Sequence, residues 1–201
     1  MKSLHGLLAV AVAVAAAVVP GCAGTKPVAE WRDPTLTQPL RHIAVGVATP
    51  DPARRRIVED EIVSRLPPGA AVQSYTFIPE GSERDLNLVK KLIREQGCDG
   101  ALVIRAGVSR SERVTAGAPV PVTAYGYWGY SYTTMYTPPT VEVETTVKVE
   151  SRLYALEGER LVWSLTTETQ NPNSPAQAKS EIADVLVQHL NDAKVLAAPA
   201  K

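Results

Sequence analysis

Few residues of this 201-residue chain have the types and spacing that catalysis requires. The histidines and cysteines are His5, His42, His189, Cys22 and Cys98. The histidines lie far apart and none has metal-ligand spacing. The sequence also has no G-x-S-x-G hydrolase motif and no H-E-x-x-H zinc-protease motif. It has no G-x-G-x-x-G or Walker-type loop for nucleotides. We therefore predict no catalytic residues, no metal site and no cofactor.

The alternative is an anion site at the first strand-to-helix turn, which reads VATPDPARRR. Asp51 is a helix N-cap, and Arg54, Arg55 and Arg56 follow it. Free N–H groups at a helix start can bind an anion together with arginines. This arrangement would make the chain a small-ligand binder or a hydrolase, with His42 nearby in sequence. The same arginines also fit a solvated first turn, which we favour.

Two further groups are weaker candidates. Cys98, in GCDG before an apolar strand, is expected to be a small buried residue rather than a nucleophile. Glu142 and Glu144 share one strand face, as paired carboxylates would. Because Lys148 and Arg152 continue the same alternation, we expect a solvent-exposed face with cross-strand charge pairs.

The best binding candidate is TAYGYWGYSYTTMYTPP, residues 123–139, which holds five of the seven tyrosines. Tyrosine and tryptophan combine a large apolar body with a polar tip, which suits wet interfaces with peptides or sugars. One alternative is a weakly ordered loop that covers part of the sheet; another is a pair of arms that extend the flanking strands as a projecting ribbon. The candidate binding residues are Tyr125, Tyr127, Trp128, Tyr130, Tyr132 and Tyr136.

The N-terminus predicts export. Lys2 precedes an unbroken apolar run of thirteen residues, Leu7 to Val19, which is typical of a signal peptide and too short to span a bilayer. Val19-Pro20-Gly21-Cys22 resembles the bacterial lipobox. By that resemblance Cys22 carries lipid and residues 1–21 are removed; cleavage by the ordinary signal peptidase, leaving a free thiol, is the alternative. Ala23, a non-aspartate, resembles outer-membrane sorting, which implies an anchor facing the periplasm.

Composition limits the partners. Without residues 1–21 the chain keeps 180 residues, enough for one domain with a core. Acidic and basic residues nearly balance, so no basic excess exists for nucleic acid, which we exclude as a partner. Residues 22–40 are predicted to be a lipidated N-terminus and tether in which Trp31 docks on its own domain. Residues 41–196 form the domain, with 114–139 as an aromatic loop insertion, and residues 197–201 are a tail.

Hydrophobic periodicity predicts the elements that position these residues. Apolar runs at 42–49, 71–78 and 101–108 indicate strands, and amphipathic helices lie between them. Such a β-α-β-α-β order favours parallel strands with right-handed crossovers. Strict alternation from Val141 to Ala155 then predicts a long strand.

That strand returns through a turn at Glu157-Gly158, and Leu161, Trp163 and Leu165 line the apolar side of the returning strand. A C-terminal helix begins after Ser174. The predicted fold class is α/β: a single domain with a mixed sheet of about five strands, ending in a long antiparallel hairpin and a helix.

Short motifs carry a resemblance. Trp31-Arg32-Asp33-Pro34, LVWS at 161–164 and TQNP at 169–172 accompany the lipobox and the Gly/Tyr-rich loop. Together they resemble a large, uncharacterised family of short bacterial envelope lipoproteins, of the W-x-D-P type. The layout is more loosely similar to the α/β modules of the Tol-Pal translocation protein, the curli-secretion lipoprotein and penicillin-binding-protein activators. Those modules dock envelope partners.

The resemblance implies a non-enzymatic, lipid-anchored docking module for a protein or glycan partner. It transfers no functional residues, because the family has none assigned.

Overall fold

A six-stranded mixed sheet with three helices is the framework of this single α/β domain, which confirms the predicted fold class. The computed structural model describes residues 24–126 and 129–197, with side chains throughout except at 120–136. The sheet strands are β1 (Thr25–Arg32), β2 (Ile43–Val47), β3 (Ala71–Gln73), β4 (Gly100–Thr115), β7 (Thr140–Ala155) and β8 (Arg160–Gln170); the helices are α1 (Pro52–Val63), α2 (Leu86–Glu95) and α3 (Pro175–Asp192). A separate hairpin joins β5 (Pro119–Gly126) to β6 (Gly129–Tyr136).

The strand order is β1-β8-β7-β4-β2-β3. Strand β2 pairs in parallel with both β3 and β4, as the alternation of strands and helices predicts. The remaining pairs, β4 with β7, β7 with β8 and β8 with β1, are antiparallel. Residue Gly158 turns β7 into β8 with φ +72°, a conformation that glycine adopts without steric cost.

The main core lies between one face of the sheet and helices α1 and α3. Alternate residues of each strand supply it, and the fully buried members include Leu102, Leu153, Trp163 and Leu165. Helix α2 covers the β2–β3 end of the opposite face through Ile93, which packs with Ala44, Ile78 and Cys98. No described helix is long and apolar enough to cross a membrane.

The predicted tether is wrong for residues 25–32, which form the edge strand β1. Thr25 lies opposite Thr169 and Trp31 opposite Ser164 on β8. Sequence periodicity misses this strand because seven of its eight residues are exposed, so backbone pairing and not burial holds it. Trp31 does not dock fully, since 45% of it is exposed.

Strand β3 ends earlier than predicted. Residues Ser74–Thr76 form a 3₁₀ turn in place of the second half of the strand. The carboxylate of Glu59 on α1 causes the turn, because it accepts the Tyr75 N–H and the Ser74 hydroxyl at 2.9 Å each. Ala197, predicted to belong to the tail, donates its N–H to the Leu40 carbonyl and so belongs to the domain, whereas residues 198–201 lie outside the described residues.

Residues 114–139 do not form an irregular loop. Strands β4 and β7 stay paired without interruption out to Thr115 opposite Thr140, and the β5–β6 hairpin follows. Strand β8 pairs with β7 only from Thr146 onward, and β2 pairs with β4 only as far as Ile104. Residues 110–115 and 140–145 are therefore a two-stranded ribbon that leaves the sheet. We call this segment the ribbon.

Candidate functional site

One face of the ribbon and of the paired strands just below it carries exposed valines, with Arg110 and Glu112 on the same face. Val114 lies opposite Val141, and Val143 and Val108 occupy the same face. These four side chains, the valine stripe, are 54–64% exposed. The stripe continues the buried row of Ile104 and Val149 out of the core. Core-type residues thus extend onto a surface that nothing in the described chain covers.

The other face of the ribbon is charged. Arg113 lies opposite Glu142, and Arg105 lies opposite Glu150 nearer the sheet. Both glutamates singled out from the sequence belong to this face: Glu142 lies opposite Arg113, as expected of a cross-strand charge pair, whereas Glu144 lies opposite Ser111. In the described part of the chain no three His, Cys, Asp or Glu side chains cluster to hold a metal ion.

The ribbon leads directly into the segment that carries the candidate aromatic residues. The backbone register places Tyr125 opposite Tyr130, Thr123 opposite Tyr132 and Pro119 opposite Tyr136. Tyr127 and Trp128 lie outside the described residues. The backbone thus confirms the extended-arm alternative, while the binding role of these aromatic residues remains a prediction.

Asn171, from the TQNP motif, fixes the base of the ribbon. Its φ of +45° is a left-handed conformation that asparagine tolerates better than most residues. Its side-chain oxygen accepts the Thr145 N–H at 2.8 Å, and its own N–H donates to the Thr145 carbonyl at 2.7 Å. Asn171 therefore bonds to β7 where a further β8 residue would pair. Strand β8 ends there, and the ribbon begins.

The Trp31-Arg32-Asp33-Pro34 motif has a structural role. Asp33 accepts the Thr35 N–H at 2.8 Å and the Thr35 hydroxyl at 2.7 Å, and Arg160 of β8 donates to its second oxygen. The hydrogen bonds from Thr35, followed by the charge of Arg160, hold the pKa of the Asp33 carboxyl below its usual value. The motif thus closes the turn after β1 and ties β1 to the start of β8.

The LVWS motif is also structural. Trp163 is fully buried, which confirms its predicted place in the core. Its indole N–H donates to Glu30 of β1 at 2.8 Å, and the other oxygen of Glu30 lies 2.8 Å from Nδ1 of His189 on α3. The second histidine of the domain, His42, contacts the Gly69 carbonyl instead. Each histidine therefore serves a separate structural contact.

Arg55, the middle one of the three arginines that follow the first strand-to-helix turn, points into the domain. Arg55 is 5% exposed and donates to Glu59 at 3.0 Å, to Ser74 at 2.9 Å and to Glu83 at 2.6 Å. Glu59 is fully buried and also accepts the Val47 N–H. Donors from three elements therefore satisfy this buried carboxylate, as a stable buried charge requires.

The flanking arginines are also engaged. Arg54 lies 3.9 Å from the N-cap Asp51, and Arg56 donates to Glu80 at 3.1 Å and stacks over Tyr75. The three arginines point in different directions, so they do not converge on one anion. The small-ligand alternative thus loses the geometry on which it depended.

Cys98 does not have the environment of a nucleophile. It is 6% exposed in the smaller core next to α2. Burial raises its pKa to about 11, which leaves very little thiolate at neutral pH. The structure therefore agrees with the expected packing role.

Comparisons with known proteins give distant likenesses. No family model matches the chain, and no curated protein matches it. Among solved structures, a PelC variant from Paraburkholderia phytofirmans, described as a dodecamer, is 19% identical over 81% of this chain and 96% of its own, with a TM-score of 0.44. The lipoprotein GNA1162 from Neisseria meningitidis is 17% identical over 76% of this chain and 99% of its own, with a TM-score of 0.38.

A third structure, a PDZ domain protein from Parabacteroides distasonis, is 9% identical with a TM-score of 0.39, and this chain spans 36% of it. The neighbours thus include a bacterial lipoprotein. At TM-scores below 0.5, none of these likenesses carries an argument about function.

Proposed function

We propose that this chain is a non-enzymatic, lipid-anchored envelope protein that docks a protein or glycan partner through the ribbon and the hairpin beyond it. The observation that carries the proposal is the valine stripe, a row of core-type side chains that is more than half exposed on a projecting ribbon. Exposed apolar side chains rimmed by polar residues, here Arg110 and Glu112 beside the valines, are typical of an interaction site.

The hairpin adds the second ingredient of an interface. Tyrosine and tryptophan dominate interface hot spots, and the hairpin segment is rich in both. The charged face of the ribbon keeps the free protein soluble and leaves the valine stripe as the apolar surface for contact. The closed core and the engaged arginines of the α1 turn support docking over a small-ligand site.

The start of β1 and the ribbon lie at the same end of the domain. Thr25 starts β1 opposite Thr169, which lies opposite Val147 at the base of the ribbon. Only Ala23 and Gly24 separate Thr25 from Cys22, and the three chain steps reach about 10 Å when extended. In our proposal a lipidated Cys22 therefore holds the ribbon close to the membrane. The outer membrane, facing the periplasm, is the proposed location.

Replacing Cys22 with serine tests the anchor. We expect the Cys22→Ser protein to appear in the soluble periplasmic fraction or as unprocessed precursor, because a serine cannot carry the lipid that makes anchoring stable. Fractionation followed by immunoblotting gives the answer. A processed Cys22→Ser protein that still sediments with membranes would contradict lipid anchoring. Cys98→Ser is the matched control and should fractionate as wild type.

Threonine substitutions at Val141 and Val143 test the docking surface. Each exchange keeps the β-branched shape but puts a hydroxyl where an apolar contact is proposed. Two lost methyl contacts at about 0.8 kcal/mol each should weaken partner capture about tenfold. Cross-linking in native membranes followed by purification measures capture.

The control for this test is Glu142→Gln, which lies on the same strand but on the charged face. We expect it to capture partner nearly as well as wild type. Equal loss in the double valine variant and in Glu142→Gln would assign capture to the strand as a whole and contradict a docking role for the valine stripe.

A further inference from the structure

Within residues 24–126 and 129–197, no strand pairs with the outer edge of β4 beyond Ile104. Strand β2 stops pairing at Ile104, and residues 105–115 are all exposed. Their pairing with β7 runs without a bulge. An unpaired edge of this length normally attracts another strand unless the sequence protects it.

The other edges of the sheet carry such protection. Strand β1 has Pro27 and a register shift between Pro27 and Ala29, and β3 is only three residues long. At the ribbon, Asn171 bonds to Thr145 on the outer side of β7. Residues 105–115 contain no proline and pair with β7 without a bulge, so this edge lacks those two devices, and its charges at Arg110 and Glu112 have opposite signs.

The alternation of hydrogen bonds shows which groups face outward. The Ile104 carbonyl accepts the Ala48 N–H, so Ile104 directs its peptide groups away from β7. Alternate residues of a strand repeat this direction, which places the N–H and C=O groups of Ala106, Val108, Arg110, Glu112 and Val114 on the free edge.

From this edge we infer that two copies of the chain pair antiparallel through residues 108–114 of β4, with the twofold axis at Ser111. In this register Arg110 of each copy lies opposite Glu112 of the other, and Val108 lies opposite Val114. The outward-facing peptide groups of these residues meet as hydrogen-bonded pairs. The two ribbons then form one four-stranded sheet, with the Arg110–Glu112 pairs at the centre of the face that carries the valines of both copies.

Neighbouring registers are less favourable. An axis at Arg110 or at Glu112 places like charges directly opposite each other, which destabilises strand pairs. An axis at Ser109 sets Arg110 against Val108 and leaves Glu112 opposite Ala106. Of these four axes, only the one at Ser111 places Arg110 opposite Glu112 and Val108 opposite Val114.

Disulfide cross-linking tests the register. Ser111 meets its own copy in a non-hydrogen-bonded pair, where Cα atoms lie about 4.5 Å apart, inside the range of about 4.4–6.8 Å that a disulfide spans. The full-length Ser111→Cys protein, oxidised in detergent with copper phenanthroline, should run as a dimer on a non-reducing gel. Ser109→Cys is the matched control, because its two thiols would lie about 13 Å apart. Buried Cys98 does not compete.

Charge exchange tests the pairing in the Ser111→Cys protein. Arg110→Glu or Glu112→Arg alone should lower the dimer yield about tenfold, because each puts like charges opposite at two positions. The double exchange should restore the yield. Within one chain Arg110 and Glu112 lie opposite the uncharged Thr145 and Val143, so the melting temperature should not follow this pattern.

Three results would overturn the inference: equal cross-linking at Ser109→Cys and Ser111→Cys, full yield with a single charge exchange, or no recovery in the double exchange. The measurement involves no docking partner. Its failure would leave the proposed docking function standing, and loss of docking would leave the dimer standing.

Discussion

Replacing Trp163 with alanine should lower the free energy of unfolding by about 3–5 kcal/mol, as is usual for a large aromatic side chain removed from a core. Trp163 is fully buried between the sheet and α3, and its indole N–H satisfies one oxygen of Glu30. The substitution removes both the packing and this hydrogen bond. Urea unfolding followed by far-UV circular dichroism measures the loss.

The matched control for this substitution is Trp31→Ala on the neighbouring strand. Trp31 is 45% exposed and does not belong to the buried core, so its removal opens no core cavity and should cost about 1 kcal/mol, the usual size for a substitution outside the core. Equal losses in the two variants would contradict the assignment of faces on β1 and β8. The predicted exposure of Trp128 remains untested, since that residue lies outside the described residues.

Replacing Arg55 with alanine should also destabilise the fold, by about 3 kcal/mol or more. The substitution leaves the fully buried carboxylate of Glu59 without its countercharge, and an unpaired buried charge typically costs about 3–5 kcal/mol. The Val47 and Tyr75 N–H groups and the Ser74 hydroxyl still bind Glu59, which favours the lower end of that range. Equilibrium unfolding in urea is the measurement.

Arg54→Ala is the control from the same helix turn. The Arg54 side chain is 71% exposed and its contact to Asp51 is long, so we expect a change within about 0.5 kcal/mol. If Arg55→Ala proves as harmless as Arg54→Ala, then Arg55 is not a structural cation and the anion-site alternative regains support.

The regular part of the fold was predictable because burial leaves a periodic record in the sequence. Apolar runs located β2 and β4, helical stripes located the helices between the parallel strands, and alternation located β7 and β8. Trp163 falls on the apolar side of that alternation, which is why its burial could be predicted.

Strand β1 and the inward orientation of Arg55 leave no such periodic pattern in the sequence. Strand β1 is held by backbone pairing to β8, and its exposed residues resemble a tether. Three successive arginines look alike in sequence, and only contacts with Glu59, Ser74 and Glu83 single out Arg55. The turn that shortens β3 has the same origin, since Glu59 is fifteen residues from Ser74.

The ribbon was predictable only as an alternative. Residues 105–115 mix glycine, serine and charge with two valines, so their β-propensity is weak. Pairing with the strongly alternating β7 makes them a strand. The sequence located the aromatic segment as the best binding candidate, but the valine stripe that leads to it emerges only when the two strands are seen in register.

Capture of partner by a chain whose residues 124–137 are replaced with a Gly/Ser linker tests the docking proposal most directly. Loop-closure entropy changes slowly with length and sequence, so the melting temperature should stay within a few degrees of wild type. Cross-linked capture from native membranes should fall at least thirtyfold, because the linker removes aromatic hot spots worth about 2 kcal/mol or more. Undiminished capture at an unchanged melting temperature would contradict docking through the hairpin.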